Sequence, residues 1–220
     1  NSLKTQNNFL TAISHELRTP MHAIFGGLQV MKLNAASHIK SPLDIVQGGA
    51  EEMMRLINDI LTHTEIQSSP NSSNITNIDL RSLLATLQQQ YRQACLEKDL
   101  RFEWRISSNL PQWIRSDGEK LEHILDKLLD NAVKFTQAGH IRFSLDIDTR
   151  NTPWQLSANI EDSGIGIDES EREHIFKAFT QTDAGFERKF GGLGIGLAIC
   201  QQYTQALGGK LRLNSKTTSG

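Results

Sequence analysis

Apolar residues recur at helical spacing in two stretches over the first third of the chain. Alternating steps of three and four residues are typical of a helix that buries one seam in a bundle, so two helices are predicted. The short segment 34–37 between them indicates an antiparallel hairpin. The first seam comprises Leu10, Ile13, Leu17, Met21, Ile24, Leu28 and Met31, and the second comprises Leu43, Val46, Ala50, Met53, Ile57, Ile60 and Thr64.

Two helices alone enclose little core. A second copy of the chain is therefore expected to complete a four-helix bundle, which makes a homodimer. The alternative is an intramolecular hairpin that folds onto the rest of the chain.

The pattern changes after the hairpin. The polar, proline-containing stretch 67–74 has no period and predicts a linker. Beyond it, helical and alternating strand patterns follow one another. Helices are predicted around 80–91 and 118–136, and strands around 102–106, 141–147 and 156–160. Alternate-residue burial in the strands predicts a sheet with one face covered by helices, a two-layer α/β sandwich. The predicted fold class is therefore α+β.

Composition supports a soluble globular protein. Hydrophobic residues make up 38% of the 220 residues and charged residues 22%, with a formal net charge of -2. This balance provides no long-range attraction for nucleic acid or an anionic membrane, and no stretch approaches the roughly 18 apolar residues of a membrane helix. The two cysteines, Cys95 and Cys200, lack metal-ligand spacing and favour a reducing cytosolic compartment, with a disulfide between them as the alternative. The chain opens in predicted helix without a signal peptide, so we expect it to be part of a longer protein.

One histidine stands out on the first helix. His15 lies about 200° of helical rotation from the seam residue Ile13 and is expected to face solvent. Glu16 can orient or deprotonate its Nδ1, which leaves Nε2 free as a nucleophile. Thr19 lies three residues after Glu16, so the two can hold a water for hydrolysis. Pro20 is expected to bend the helix beside the histidine. The alternative is a solvated surface histidine beside an ordinary ion-pair partner.

Three further clusters suit a nucleotide. Asp162 ends a predicted strand before a Gly-Ile-Gly turn, where a buried carboxylate can accept a hydrogen bond from an adenine amino group. The glycine-rich segment 191–198 opens a helix whose backbone amides suit phosphate oxygens. Asn131 and Lys134 share a helix face, where an amide oxygen can ligate Mg²⁺ and an ammonium can meet phosphate. Taken singly, each cluster is also compatible with a capped turn, a ligand-free glycine turn or a polar helix face.

In this order, the clusters resemble the sensor histidine kinases of two-component signalling from about Leu3 to the end of the chain. Segment 14–20 is similar to the H box of that family, 126–136 to the N box, 162–167 to the G1 box, 175–179 to the F box and 191–197 to the G2 box. The H and N boxes are most similar to those of hybrid kinases, which pass phosphate on to receiver domains.

The resemblance implies a domain organisation. Residues 1–68 would form the dimerisation and histidine-phosphotransfer domain, 69–78 the linker and 79–220 a Bergerat-type ATP-binding domain. Segment 168–190 would be the lid over ATP, and the C-terminal strand is expected to be truncated.

The resemblance also implies residue roles. His15, Glu16 and Thr19 would be catalytic, and Asn131 would be the Mg²⁺ ligand. The residues implied to bind ATP are Asn131, Lys134, Asp162, Gly164, Gly166, Phe179, Gly192, Leu193, Gly194, Ile195, Gly196 and Leu197. Two positions depart from the family pattern: Lys127 stands where a second asparagine is usual, and Leu193 where a small hydroxyl residue is common.

Three functions remain open from the sequence. The first is ATP-dependent autophosphorylation of His15 in the cytoplasmic portion of a membrane-bound sensor, with onward transfer to the aspartate of a response-regulator receiver domain and with phosphatase activity toward that receiver. The second is a degenerate kinase that binds nucleotide and pairs with another histidine kinase, motivated by Lys127 and Leu193. The third, ATP hydrolysis without a histidine acceptor, is disfavoured by the H box. No nucleic acid partner and no direct membrane contact are expected for this chain.

Overall fold

The computed structural model describes residues 17, 20–22, 24–28, 30, 40–68, 73–150, 152–172, 174–178 and 194–214. The chain divides into two compact units. The first comprises Asn1–Pro70 with Glu173–Ile199, and the second Asn71–Arg172 with Cys200–Gly220.

Regular elements follow the predicted alternation of helix and strand. Residues 17, 20–22, 24–28 and 30 are helical and precede the first complete helix. The complete elements are α1 (Lys40–Ser68), β1 (Thr76–Asp79), α2 (Leu80–Glu97), β2 (Arg101–Ile106), β3 (Trp113–Ser116), α3 (Gly118–Phe135), β4 (His140–Asp148), β5 (Gln155–Asp162) and α4 (Gly196–Ala206). No helix among the described residues is long and apolar enough to cross a membrane.

Helix α1 carries two apolar stripes. Gly49 and Leu56 are buried, and they fall in a seam with the half-buried Val46, Met53 and Ile60. A second stripe is exposed in the single chain and consists of Leu43, Ala50, Met54, Ile57 and Leu61. The predicted seam mixed these two stripes, because positions 49 and 50, like 56 and 57, fit the same three-and-four spacing.

Two sheets form in the second unit. Strands β1 and β3 pair antiparallel, with Thr76 opposite Ser116 and Asp79 opposite Trp113. The other sheet has the order β2-β4-β5, in which β4 pairs parallel with β2 and antiparallel with β5. The parallel pair requires a crossover, which β3 and α3 provide.

The core of the second unit lies between α2, α3 and the three-stranded sheet. Strand β4 contributes its whole inward face, and the Phe143 ring stacks on Trp104 of β2 at a centroid distance of 4.0 Å. The fully buried side chains of this core are Leu80, Leu87, Cys95, Leu125, Leu129, Ile141, Phe143 and Leu145. The helices cover the face of the sheet on which the alternating apolar strand residues lie. This confirms the α+β class and the two-layer arrangement.

Strands β1 and β3 were not predicted. β1 occupies Thr76–Asp79, so part of the 69–78 stretch that was predicted to be linker is a strand. Each of the two strands is only four residues long, and the sequence of β1 is polar. Their pairing depends on a partner more than thirty residues away in the chain, which local periodicity does not report.

Asp117 joins these elements. Its side chain is 2% exposed and accepts hydrogen bonds from the backbone amides of Asn74 and Lys120, at 2.9 and 3.2 Å, and from the Lys120 ammonium. Burial alone would raise the pKa of Asp117, but these hydrogen bonds outweigh it and hold the pKa below its ordinary value. Asp117 thus caps α3 and fastens the chain just before β1 to that cap.

We predict that Asp117→Asn lowers the free energy of unfolding at pH 7 by about 1–3 kcal/mol, because hydrogen bonds to a buried charge are lost. A lowered folded-state pKa stabilises the fold fully above the ordinary aspartate pKa of about 3.9, and this contribution is lost as the pH falls through the folded-state value. The two proteins should therefore converge in stability as the pH falls below about 3.9.

Urea denaturation at pH 7 and at acid pH measures both effects. The exposed Glu97→Gln on α2 is the control and should change stability by less than about 0.5 kcal/mol. Equal stability of Asp117→Asn and the parent at pH 7 would contradict this assignment.

Candidate functional site

Helix α3 carries two of the predicted site residues in its last turns. It begins at the Asp117 cap, and its apolar face is buried at Leu121, Leu125 and Leu129. Glu119 in the first turn and Lys134 in the last both suit the helix dipole. The sequence therefore specifies a helix that ends with Asn131 and Lys134 beside its carboxyl end.

Helix α2 and the residue directly after it hold α3 at two points. The buried Tyr91 hydroxyl lies 2.7 Å from both the backbone carbonyl and a carboxylate oxygen of Asp126, and its single proton serves one of them at a time. Burial, together with the Asp126 carboxylate, raises the pKa of Tyr91. Near the C-terminal end of α3, the Lys98 ammonium donates to the Val133 carbonyl at 2.7 Å. Sequence reasoning missed both residues, since neither lies in a recognisable motif.

The loop after β5 is bound to the end of α3. The Ile165 amide donates to the Phe135 carbonyl at 3.4 Å, and a Cβ on Gly164 would stand 2.4 Å from that oxygen. The Ser163 amide donates to the His140 carbonyl at 3.1 Å, and the Ser163 hydroxyl accepts from the His140 amide at 2.8 Å. The structure therefore brings the predicted 162–167 cluster to the helix that carries Asn131 and Lys134.

Asp162 is the last residue of β5. It lies opposite Ile141 and on the same face of the strand as Ile160, the face that the helices cover. The expectation of a buried carboxylate is wrong, because Asp162 is exposed. Asp162 lies beyond the edge of the core, and one of its carboxylate oxygens accepts from the Gly164 amide at 2.9 Å.

Asn131 and Lys134 are half-buried, as is Lys127 one turn earlier on α3. The Lys134 ammonium lies 5.3 Å from the centroid of the Phe135 ring. Among the residues that the structure describes, no group of three or more His, Cys, Asp or Glu side chains can hold a metal ion.

Thr136, directly after α3, was also missed from the sequence. It is fully buried, and its hydroxyl has no hydrogen-bond partner within the described part of the chain. Only a glycine fits at position 164, against the Phe135 carbonyl. Gly164 and Thr136, with its unpaired buried hydroxyl, lie on the two segments that meet at Phe135. Both features fit a site that receives a polar planar group such as a nucleotide base.

The glycine-rich cluster lies in the first unit. Gly194 has a φ of 64°, Ile195 is buried, and α4 begins at Gly196 with Leu197 in its first turn. Gly166, in the loop after β5, has a φ of 69°, which a side chain would strain. The predicted site residues His15, Glu16, Thr19, Phe179, Gly192 and Leu193 lie outside the described residues.

Two family models match the chain. Residues 5–69 match the His Kinase A (phospho-acceptor) domain, and residues 116–220 match the histidine kinase-, DNA gyrase B- and HSP90-like ATPase. The two matches cover most of the chain, in the order of a phospho-acceptor domain followed by an ATPase domain. The chain belongs to the sensor histidine kinases.

Curated relatives agree with this assignment. The autoinducer 2 sensor kinase/phosphatase LuxQ of Vibrio vulnificus is 35% identical over 223 residues, which cover 100% of this chain and 26% of the relative. The signal transduction histidine-protein kinase BarA of Escherichia coli is 30% identical over 219 residues, 99% of this chain and 24% of BarA. The chain thus spans about a quarter of the length of these relatives.

Solved structures share the fold. Full-length ShkA in complex with AMPPNP is 28% identical, with a TM-score of 0.64 over 90% of this chain and 41% of that chain. The Acinetobacter baumannii histidine kinase AdeS is 24% identical, with a TM-score of 0.63 over 87% of this chain and 86% of that chain.

We predict that Gly164→Ala weakens ADP binding by about tenfold or more without unfolding the protein, because the added methyl group forces the loop away from the Phe135 carbonyl. Gly48→Ala on α1 is the matched control, since a Cβ there has no atom within 4 Å. Isothermal titration calorimetry measures the affinity and circular dichroism the fold. Unchanged ADP affinity in Gly164→Ala would show that the loop does not shape the site.

Proposed function

We propose that the chain transfers the γ-phosphoryl group of ATP to His15. The observation that carries this proposal is the junction of the Asp162 loop with the end of α3, in a domain of the histidine kinase ATPase family that follows a phospho-acceptor domain. Phosphoryl transfer depends mainly on positioning and on charge stabilisation, which such a junction can provide.

His15 is the proposed nucleophile. Its Nε2 forms a bond to the γ-phosphorus while the bond from that phosphorus to the bridging oxygen breaks, and ADP leaves. Glu16 holds or removes the proton on Nδ1. Glu16 and Thr19 together position a water for the reverse, hydrolytic step. These roles are supported by the 5–69 match to a phospho-acceptor domain.

In the ATP-binding domain we propose one group of residues for the base and another for the phosphates, Mg²⁺ and the lid. Asp162, with the turn at Gly164 and Gly166, receives the base, and the exposed carboxylate is free to accept from an amino group. Lys134 neutralises phosphate, and Asn131 supplies one ligand to Mg²⁺. For the phosphates and the lid we propose the backbone of Gly192, Leu193, Gly194, Ile195, Gly196 and Leu197, together with Phe179.

Domain boundaries remain part of the proposal. We assign 1–68 to dimerisation and phosphotransfer, the stretch that follows to a linker, and the rest to ATP binding. The matched ranges 5–69 and 116–220 support the first boundary and the core of the second domain.

A homodimer is proposed from the exposed stripe of α1. Leu43 is 48% exposed, Met54 57% and Leu61 54%, and these residues recur at the spacing of a helix seam. Met21, Phe25 and Leu28 of the preceding helix are also exposed, again in steps of four and three. Apolar stripes on both helices of a hairpin fit a four-helix bundle made by two chains.

Onward transfer to a receiver aspartate, and dephosphorylation of that receiver, complete the proposal. The names of BarA and LuxQ, a signal transduction kinase and a sensor kinase/phosphatase, support it. The chain would act in the cytoplasm, where ATP is available, as the kinase portion of a longer sensor.

The second candidate is a nucleotide-binding regulatory partner of another kinase. Lys127 favours it, because an ammonium cannot ligate Mg²⁺ where the family usually has an asparagine. A folded, dimeric chain that binds ADP and yet shows no phosphorylation would select this candidate.

We predict that His15→Gln abolishes acid-labile phosphorylation and changes ADP affinity by less than about twofold, because the acceptor and nucleotide lie on different domains. γ-labelled ATP followed by acid treatment measures the first quantity, and calorimetry the second. His22→Gln is the control, since His22 is exposed, and this variant should label like the parent. Equal labelling of His15→Gln and the parent would remove His15 as the acceptor.

We predict that Ile57→Asp dissociates the dimer, because it places a charge in the proposed seam, where even truncation of a buried Ile typically costs about 2–5 kcal/mol. Leu96→Asp on α2 is the matched control, since Leu96 is 67% exposed but lies on the ATP-binding domain. Light scattering after size exclusion should give a monomer for the first variant and a dimer for the second. A monomeric parent at micromolar concentration would contradict the dimer.

A further inference from the structure

The Thr136 hydroxyl is a buried polar group without a partner in the described structure. Its residue is 0% exposed, and the hydroxyl oxygen has no hydrogen-bond partner among the described residues. A buried hydroxyl normally bonds protein or ordered water, so an exception at a candidate site calls for a functional explanation. Within a helix, a threonine usually satisfies itself on a carbonyl one turn earlier. Thr136 has left the helix, with φ -102° and ψ 119°.

The backbone on both sides of Thr136 is bound to the loop after Asp162. On one side, the Phe135 carbonyl accepts from Ile165. On the other, the Ser163 amide donates to the His140 carbonyl and the Ser163 hydroxyl accepts from the His140 amide. Thr136 therefore lies in the segment 135–140 against which the 163–165 loop is fixed.

The two polar side chains where β5 ends and the loop after it begins are already engaged. The Ser163 hydroxyl is bound to His140, and one oxygen of Asp162 accepts from Gly164. Asp162 retains further lone pairs but, as a carboxylate, it only accepts. At this junction the buried Thr136 hydroxyl can therefore supply a donor, and Asp162 an acceptor, to a bound polar group.

We infer that the Thr136 hydroxyl is a specificity-determining contact for the purine base, donating to a ring nitrogen directly or through one water while Asp162 accepts from the neighbouring exocyclic amino group. Adenine presents an amino donor beside a ring-nitrogen acceptor, which is the complement of a carboxylate beside a hydroxyl. The inference rests on the nucleotide binding proposed above and names a residue outside the predicted site.

Removing the Thr136 hydroxyl should weaken ADP binding and raise the stability of the nucleotide-free protein. Thr136→Val removes the hydroxyl at almost constant volume, so it should weaken ADP binding about five- to twentyfold. The same change relieves an unpaired buried group, so the melting temperature without nucleotide should rise by about 2–4 °C. Thr136→Ser keeps the hydroxyl and should bind ADP within about threefold of the parent.

Calorimetry and thermal melting on the full chain measure these quantities. Thr86→Val is the matched control, since Thr86 is exposed on α2 and its hydroxyl bonds the Ser82 carbonyl at 3.1 Å. ADP analogues with CH in place of N1 or N7 give the decisive comparison. One of the two should cost the parent and Thr136→Ser several-fold in affinity and cost Thr136→Val nothing further.

Each outcome bears on a different claim. If the parent binds ADP and Thr136→Val binds it equally well, the Thr136 contact is overturned while the proposed function stands. If Thr136→Val melts lower and Thr136→Ser is equally impaired, Thr136 is a packing residue and the inference is overturned. A folded parent that binds no ADP overturns the proposed function and this inference together.

Discussion

The contact between the Phe135 carbonyl and the loop after β5 is the constraint on which the candidate site depends. The Ile165 amide donates to this oxygen, and Gly164 lies so close to it that an added Cβ would stand 2.4 Å away. Because both groups belong to the backbone, the contact requires no particular side chain, but it does require a glycine at position 164. Asp162 is thereby kept beside the turns that carry Asn131 and Lys134.

The rest of the second unit keeps this contact in place. Tyr91 of α2 and Lys98, the residue directly after α2, bind α3 near its middle and near its end. Asp117 fixes the start of α3, and the stacked Trp104 and Phe143 hold the strands beneath it. Cooperative packing of this kind positions polar groups on rigid elements, while the chemistry is left to a few residues at the edge.

Periodicity predicted the long elements well. Helix α3 was expected at 118–136 and occupies Gly118–Phe135, because six apolar positions fall on one face and an aspartate caps its start. Strand β4 alternates without a break and was predicted for the same reason. Spacing and residue type suggested roles for Asn131, Lys134 and Asp162, the family resemblance favoured those roles over the alternatives, and the roles stay predictions.

Long-range effects explain what was not predicted. The short strands β1 and β3 pair only in the folded chain. The buried seam of α1 was predicted at positions 50 and 57, but the buried residues are at positions 49 and 56. Asp162 was expected to be buried because it ends an apolar strand, but it has passed the edge of the core. Thr136 ends the 126–136 N box but was given no role from the sequence, since its interest comes from a buried hydroxyl without a hydrogen-bond partner among the described residues.

The central claim is that ATP bound at this junction phosphorylates His15. Peptide mapping at neutral pH, after the full chain is incubated with ATP and Mg²⁺, tests it most directly, because a phosphoramidate survives those conditions and can be located. We expect phosphate on the peptide that contains His15, with one ADP formed for each phosphate bound. ATP consumed to free phosphate, with no phosphate on that peptide at any time, would contradict it.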